Sequence, residues 1–168
     1  PPHAEILANP LYPTTPAQYR EYHTVMSGME RELAAMHDSV NSLYEKQKQL
    51  DAVITALPAG DKFAAVKRDG EALLKKLKAW DEEMIQRRSR AYDDVENFVN
   101  KLTANYLFLV NQTESDLPRI NQSSLDLLEK MTAEWKTLKT RADEIAAKEI
   151  PSLNKRLWDL GYGAIWKN

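Results

Sequence analysis

Apolar side chains recur along the first third of the chain at alternating steps of three and four. The stripe runs through Tyr19, Tyr22, Met26, Met29, Leu33, Met36, Val40, Leu43, Gln47, Leu50, Ile54 and Leu57, with Gln47 its single polar member. Such spacing specifies a long helix with one seam buried against partner helices. The reading places this helix over 15–57, with Thr15 as its cap and Pro16 at the favoured first position. At a rise of about 1.5 Å per residue it would be roughly 60 Å long, which suits an elongated bundle better than a compact globule.

Pro58-Ala59-Gly60 breaks this helix, and a second stripe follows over 61–86 through Phe63, Val66, Gly70, Leu73, Leu77, Trp80 and Met84. Asp61 suits the positive end of that helix. Gly70 lies in the seam, where a helical glycine costs about 1 kcal/mol against alanine; the reading is that it admits a bulky neighbour such as a Trp or Tyr. Residues 86–94 lose the stripe and gather charge, as a connection or frayed end would. A third helix is expected over 95–114 through Val99, Leu102, Tyr106, Leu109 and Thr113. A fourth, over 118–150, carries Leu128, Met131, Trp135, Leu138, Ala142 and Ile145. Pro151 should end or kink it, because proline lacks a backbone donor and its ring strikes the preceding turn. A short helix over 152–160 follows, with Gly161 and Gly163 ending it. Short connections between four stripes predict an all-α fold, an elongated antiparallel up-down-up-down four-helix bundle over 15–168. Residues 1–14 have no helical period and hold Asn9-Pro10 and Tyr12-Pro13, so they read as an extended or turn-like stub.

Composition narrows the classes. The 168 residues include 29% charged and 43% hydrophobic side chains with a formal net charge of -2, so no global field favours nucleic acid or an anionic membrane. No apolar run approaches the length of a membrane span. The chain opens Pro1-Pro2-His3 with neither an initiator Met nor a basic leader, which suggests a fragment of a longer protein. Cysteine is absent, excluding disulfides and thiolate chemistry within this chain.

Candidate chemistry is thin. His3, His23 and His37 are the histidines; a di-iron bundle needs Glu-x-x-His pairs, and Arg20 and Ala34 stand where the glutamates would be. Asp81-Glu82-Glu83 and Asp93-Asp94 could supply acid and base, but adjacent helical residues point apart, which favours a solvated face. Lys75, Lys76 and Lys78, with Arg87, Arg88 and Arg90, could form an anion patch; flanking acids and the lack of interleaved aromatics argue against nucleic acid. Asn111-Gln112-Thr113 and Asn121-Gln122-Ser123 match the glycosylation pattern, which matters only in a secreted eukaryotic protein. No catalytic, cofactor-binding or metal-binding set emerges. Trp80, Trp135, Trp158 and Trp166 fall on or near seams. Trp158, Tyr162 and Trp166 form the candidate docking surface, because a terminal helix cannot bury them all.

The segments HAEILANPLYPTTPAQYREYH, YDDVENFVNKLTANYLFLVNQTESDLP and IPSLNKRLWDLGYGAIW, in this order, resemble the C-terminal region of bacterial exported proteins built on a BNR-repeat, sortilin-like (VPS10-like) β-propeller and often labelled glycosyl-hydrolase-like. In that family a β-sandwich module joins the propeller to a helical bundle, and Asn9-Pro10-Leu11 stands where the junction typically has Asp-Pro-Arg. Asn154, Leu157, Leu160, Gly161, Ala164 and Ile165 match the family's closing pattern. The resemblance implies an exported (periplasmic, cell-surface or secreted) protein and a non-catalytic accessory or interaction domain, any chemistry lying in the propeller. Its partners would be the preceding domains of the same polypeptide or another protein, with a monomer favoured. The alternative is a stand-alone, self-associating coiled-coil or spectrin-like module.

Overall fold

The computed structural model describes residues 14–89, 91, 94, 97–116 and 119–163, and these are helical with connecting turns. The stub expected over 1–14 lies outside the described residues except for Thr14. Helix α1 spans Pro16–Ala56, α2 Asp61–Met84, α3 Leu102–Glu114 and α4 Gln122–Glu144; a π-helical turn, Ile145–Glu149, leads into α5, Ile150–Asp159.

The local rules explain most of these limits. Thr15 caps α1 reciprocally: its hydroxyl accepts from the Gln18 amide at 3.2 Å, and the Gln18 side chain accepts from the Thr15 amide at 2.8 Å. Gly60, at φ 137°, turns the chain into α2 in a region that side chains with a Cβ rarely enter. Asn121 caps α4 by accepting from the Ser124 amide at 2.8 Å. Gly161, at φ 75°, closes α5, its amide donating to Trp158 O and that of Tyr162 to Leu157 O.

The helix limits differ from expectation in two places. The third helix starts at Leu102 rather than residue 95, so Val99 lies ahead of it and is 79% exposed instead of lining the seam. Pro151 was expected to end or kink the fourth helix, and the α-helix does stop ahead of it, at Glu144, but in a π-helical turn and not a break. The Ile150 amide instead reaches back to Ile145 O, and this widened turn absorbs the proline while the helical path continues.

The α1 seam is buried from Met26 onward, though Leu33 and Gln47 are only partly covered and Tyr19 stays exposed in the first turn. In α2, Val66, Gly70, Leu73, Leu77, Trp80 and Met84 are buried, and in α4 Met131, Trp135, Leu138 and Ala142. A Cβ on Gly70 would lie 2.9 Å from Ile54 Cγ1 and 3.0 Å from its Cδ1. The glycine therefore does permit a close approach, but the neighbours are Ile54 and Leu50, not an aromatic ring. Gly70→Leu is expected to destabilise by about 1–3 kcal/mol through overpacking. Gly70→Ala should cost less, since about 1 kcal/mol of helix propensity offsets the contact. Chemical denaturation of both variants checks the order.

Polar contacts tie the helices in register. Rising along α1, Tyr22 donates to Glu114 O, Glu32 accepts from Tyr106, Tyr44 carries the Arg87 guanidinium on its ring, and Ile54 faces Gly70. Partner numbers thus fall as α1 numbers rise, first along α3 and then along α2. On the other side they rise: Glu32 meets Thr132, and Ala56 O accepts from Tyr162. Between α2 and the α4–α5 run, Trp80 Nε1 donates to Leu138 O at 2.8 Å, Glu83 pairs with Arg141, Lys76 with Glu149 and Asp69 with Arg156. Helix α3 packs on α1 and α4 and meets α2 at its own start, where Thr103 Oγ1 donates to Met84 O at 2.8 Å. The up-down-up-down arrangement had expected it alongside α2.

Glu32 joins three helices, its Oε2 accepting from Tyr106 Oη at 2.7 Å and Thr132 Oγ1 at 2.9 Å. Burial, followed by the bond to the Glu32 carboxylate, raises the Tyr106 phenol well above its ordinary 10.0. A raised phenol pKa favours the neutral form in the fold, so its stabilisation is intact below the unfolded value and is lost as pH climbs beyond it. Unfolding measured from pH 8 to 11 should therefore show an alkaline decline that Tyr106→Phe makes shallower. An equally steep decline in that variant would refute the assignment.

Candidate functional site

A concavity lies where α2 ends and the connection to α3 begins. It is a half-open cleft of about 570 Å³ between Tyr44 and Gln47 of α1, Lys78, Asp81 and Glu82 of α2, the following Ile85–Arg88, and Lys101. Asp81 is only 7% exposed. Arg87 grips it with two bonds of 2.6 Å, from Nε to Oδ2 and from Nη2 to Oδ1. The same guanidinium stacks 3.7 Å from the centroid of the Tyr44 ring, a cation–π contact. The hydrogen bond to Asp81 raises the Arg87 pKa above its ordinary value. The connection is therefore anchored where its charge cluster leaves α2.

This changes the reading of the acidic triplet. Glu82 and Glu83 are exposed, as a solvated face requires, but Asp81 is buried and paired. Asp94 makes a turn, its Oδ2 accepting from the Ala91 amide at 2.9 Å; Asp93 and Arg90 lie outside the described residues. Among the described residues no group of three or more His, Asp and Glu could hold a metal ion. His23 and His37 are exposed, with His23 Nδ1 at 3.2 Å from Ser27 Oγ.

The expected docking residues part company. Trp158 is 71% exposed on α5. Tyr162 is half-buried, its ring edge-on to Phe63 and its hydroxyl donating to Ala56 O at 2.9 Å, so it closes the α1–α2 end. Trp166 lies outside the described residues. Asn111 is exposed, whereas Asn121 is committed to capping α4 and to Asp116.

Sequence reasoning missed the outward side of α3. Leu107 is 44% and Phe108 67% exposed, and no residue from Leu102 to Thr113 carries a charge. The available signal was an apolar run on both sides of a short helix, which a single-seam template does not register. It also missed the cleft, because Tyr44 and Gln47 are brought to Lys78 and Arg87 by packing alone. No helix among the described residues is long and apolar enough to cross a membrane. No family model matches the chain, and neither does any curated protein or solved structure.

Proposed function

We propose that this chain is a non-catalytic helical interaction module, laid out as three rods: α1, then α2 with α3 following it end on, then α4 through α5. The partner numbers that fall along one side of α1 and rise along the other support this layout over four parallel-sided rods. The observation that carries the interaction role is the uncharged outward side of α3 with Leu107 and Phe108 in solvent. Exposed apolar positions grouped on one element, with charge depleted around them, are what a protein-binding surface requires.

The resemblance to propeller proteins supplies the setting: an accessory domain of an exported multidomain protein, docking on the domains that precede it. Reading the coding sequence upstream of Pro1 tests it first. An encoded propeller, bound in solution by this chain and released by Phe108→Glu, is the expected result. A start codon adjoining Pro1 would overturn the setting. The second reading, self-association through the same face, is favoured by the absence of charge there, since two copies would meet without like-charge repulsion. Sedimentation separates the two: a monomer fits docking on other domains, and a dimer dissolved by Phe108→Glu fits self-association.

A further inference from the structure

We propose that the cleft beside Asp81 and Arg87 binds a small oxyanion, carboxylate or phosphate, that also bears a hydroxyl. This goes beyond the interaction role and does not depend on the propeller setting. The pair Arg87–Asp81 neutralises itself through two short bonds. Among the described residues that line the cleft, what remains is Lys78, Arg88 and Lys101 against the carboxylate of Glu82. Among the described residues neither lysine forms an ion pair, and Arg88 is held in place over the Phe98 ring at 4.8 Å. Lys78 of α2, Arg88 of the connection and Lys101 ahead of α3 all line this cleft of about 570 Å³, so cations outnumber unpaired carboxylates among its described lining residues.

The second feature is Gln47. It interrupts an otherwise apolar stripe, and its Oε1 is buried with no hydrogen-bond partner among the described residues. An unpaired buried amide oxygen costs free energy that a leucine there would not. The terminal torsion of glutamine is broad, so a modest turn presents the amide to the cleft that Gln47 lines. A hydroxyl suits that amide in either orientation, because it can donate or accept. The oxyanion is assigned to Lys78, Arg88 and Lys101, and the hydroxyl to Gln47.

Calorimetric titration of the chain with glycerol 3-phosphate and with glycerate tests this, with inorganic phosphate and glycerol as the half-ligands. Saturable binding of a hydroxylated anion, tighter than either half-ligand and weakened by salt, is expected; the tighter of the two identifies the oxyanion. Lys78→Gln with Lys101→Gln should weaken it about tenfold or more. Both are surface changes, and an unaltered melting curve would confirm that fold is retained. Gln47→Leu should raise the melting temperature while abolishing the advantage of glycerol 3-phosphate over phosphate. No saturable binding of either hydroxylated anion, binding indifferent to the double substitution, or a preference that survives Gln47→Leu would each overturn the proposal.

Discussion

Trp80→Ala is expected to destabilise the fold by about 3–5 kcal/mol, the largest effect of any single truncation here. Trp80 is fully buried, with 0% exposure, at the contact between α2 and α4. Its indole bridges the two helices by donating to Leu138 O at 2.8 Å. Alanine would remove the ring, leave a void that surrounding helices fill only in part, and take away that bridge. Trp80→Phe separates the contributions: it keeps most of the apolar bulk and loses the hydrogen bond, itself worth about 0.5–1.5 kcal/mol. Guanidinium unfolding followed by far-ultraviolet circular dichroism gives both values. A Trp80→Ala loss below about 1 kcal/mol, within the range of surface substitutions, would show that this contact does not hold α2 to α4.

Leu77→Ala should follow at about 2–5 kcal/mol, because Leu77 is 1% exposed in the α2 seam. Its informative partner is Leu33→Ala. The heptad treats the two leucines alike, and on spacing alone they should be equally costly. In the fold Leu33 is only partly buried against the core, so fewer atoms leave an apolar environment when it is truncated. The Leu33 variant should therefore melt above the Leu77 variant. Equal losses would mean that α1 is covered at Leu33 more fully than the structure has it.

That comparison shows where periodicity is a good guide. A step of three and four puts residues on one face of a helix, and the helix then has to bury that face; the stripe from Met26 to Leu57 and that from Val66 to Met84 were legible for this reason. Caps were legible at Thr15, Pro16 and Gly161, which act on their own neighbours, whereas Asn121 was read only as a glycosylation candidate and not as the cap of α4. Val99 failed because the stripe was extended into the connection ahead of α3. At Pro151 the sequence marked a disturbance of the helix but not its form, a π-helical turn at Ile145–Glu149 in which the ladder widens upstream of the proline. Trp158 and Tyr162 looked equivalent in sequence, yet only Tyr162 meets the α1–α2 end.

The amino-acid sequence by itself determined the helical class, the two long seams and most of the caps, because each depends on residues within a few positions of one another. Tertiary structure alone decided that α3 packs on α1 and α4 and leaves Leu107 and Phe108 in solvent. It also buried Asp81 under Arg87 and walled the cleft with Tyr44, Gln47 and Lys78. Those outcomes join residues tens of positions apart, and no local spacing encodes which exposed face of one helix will meet which break in another.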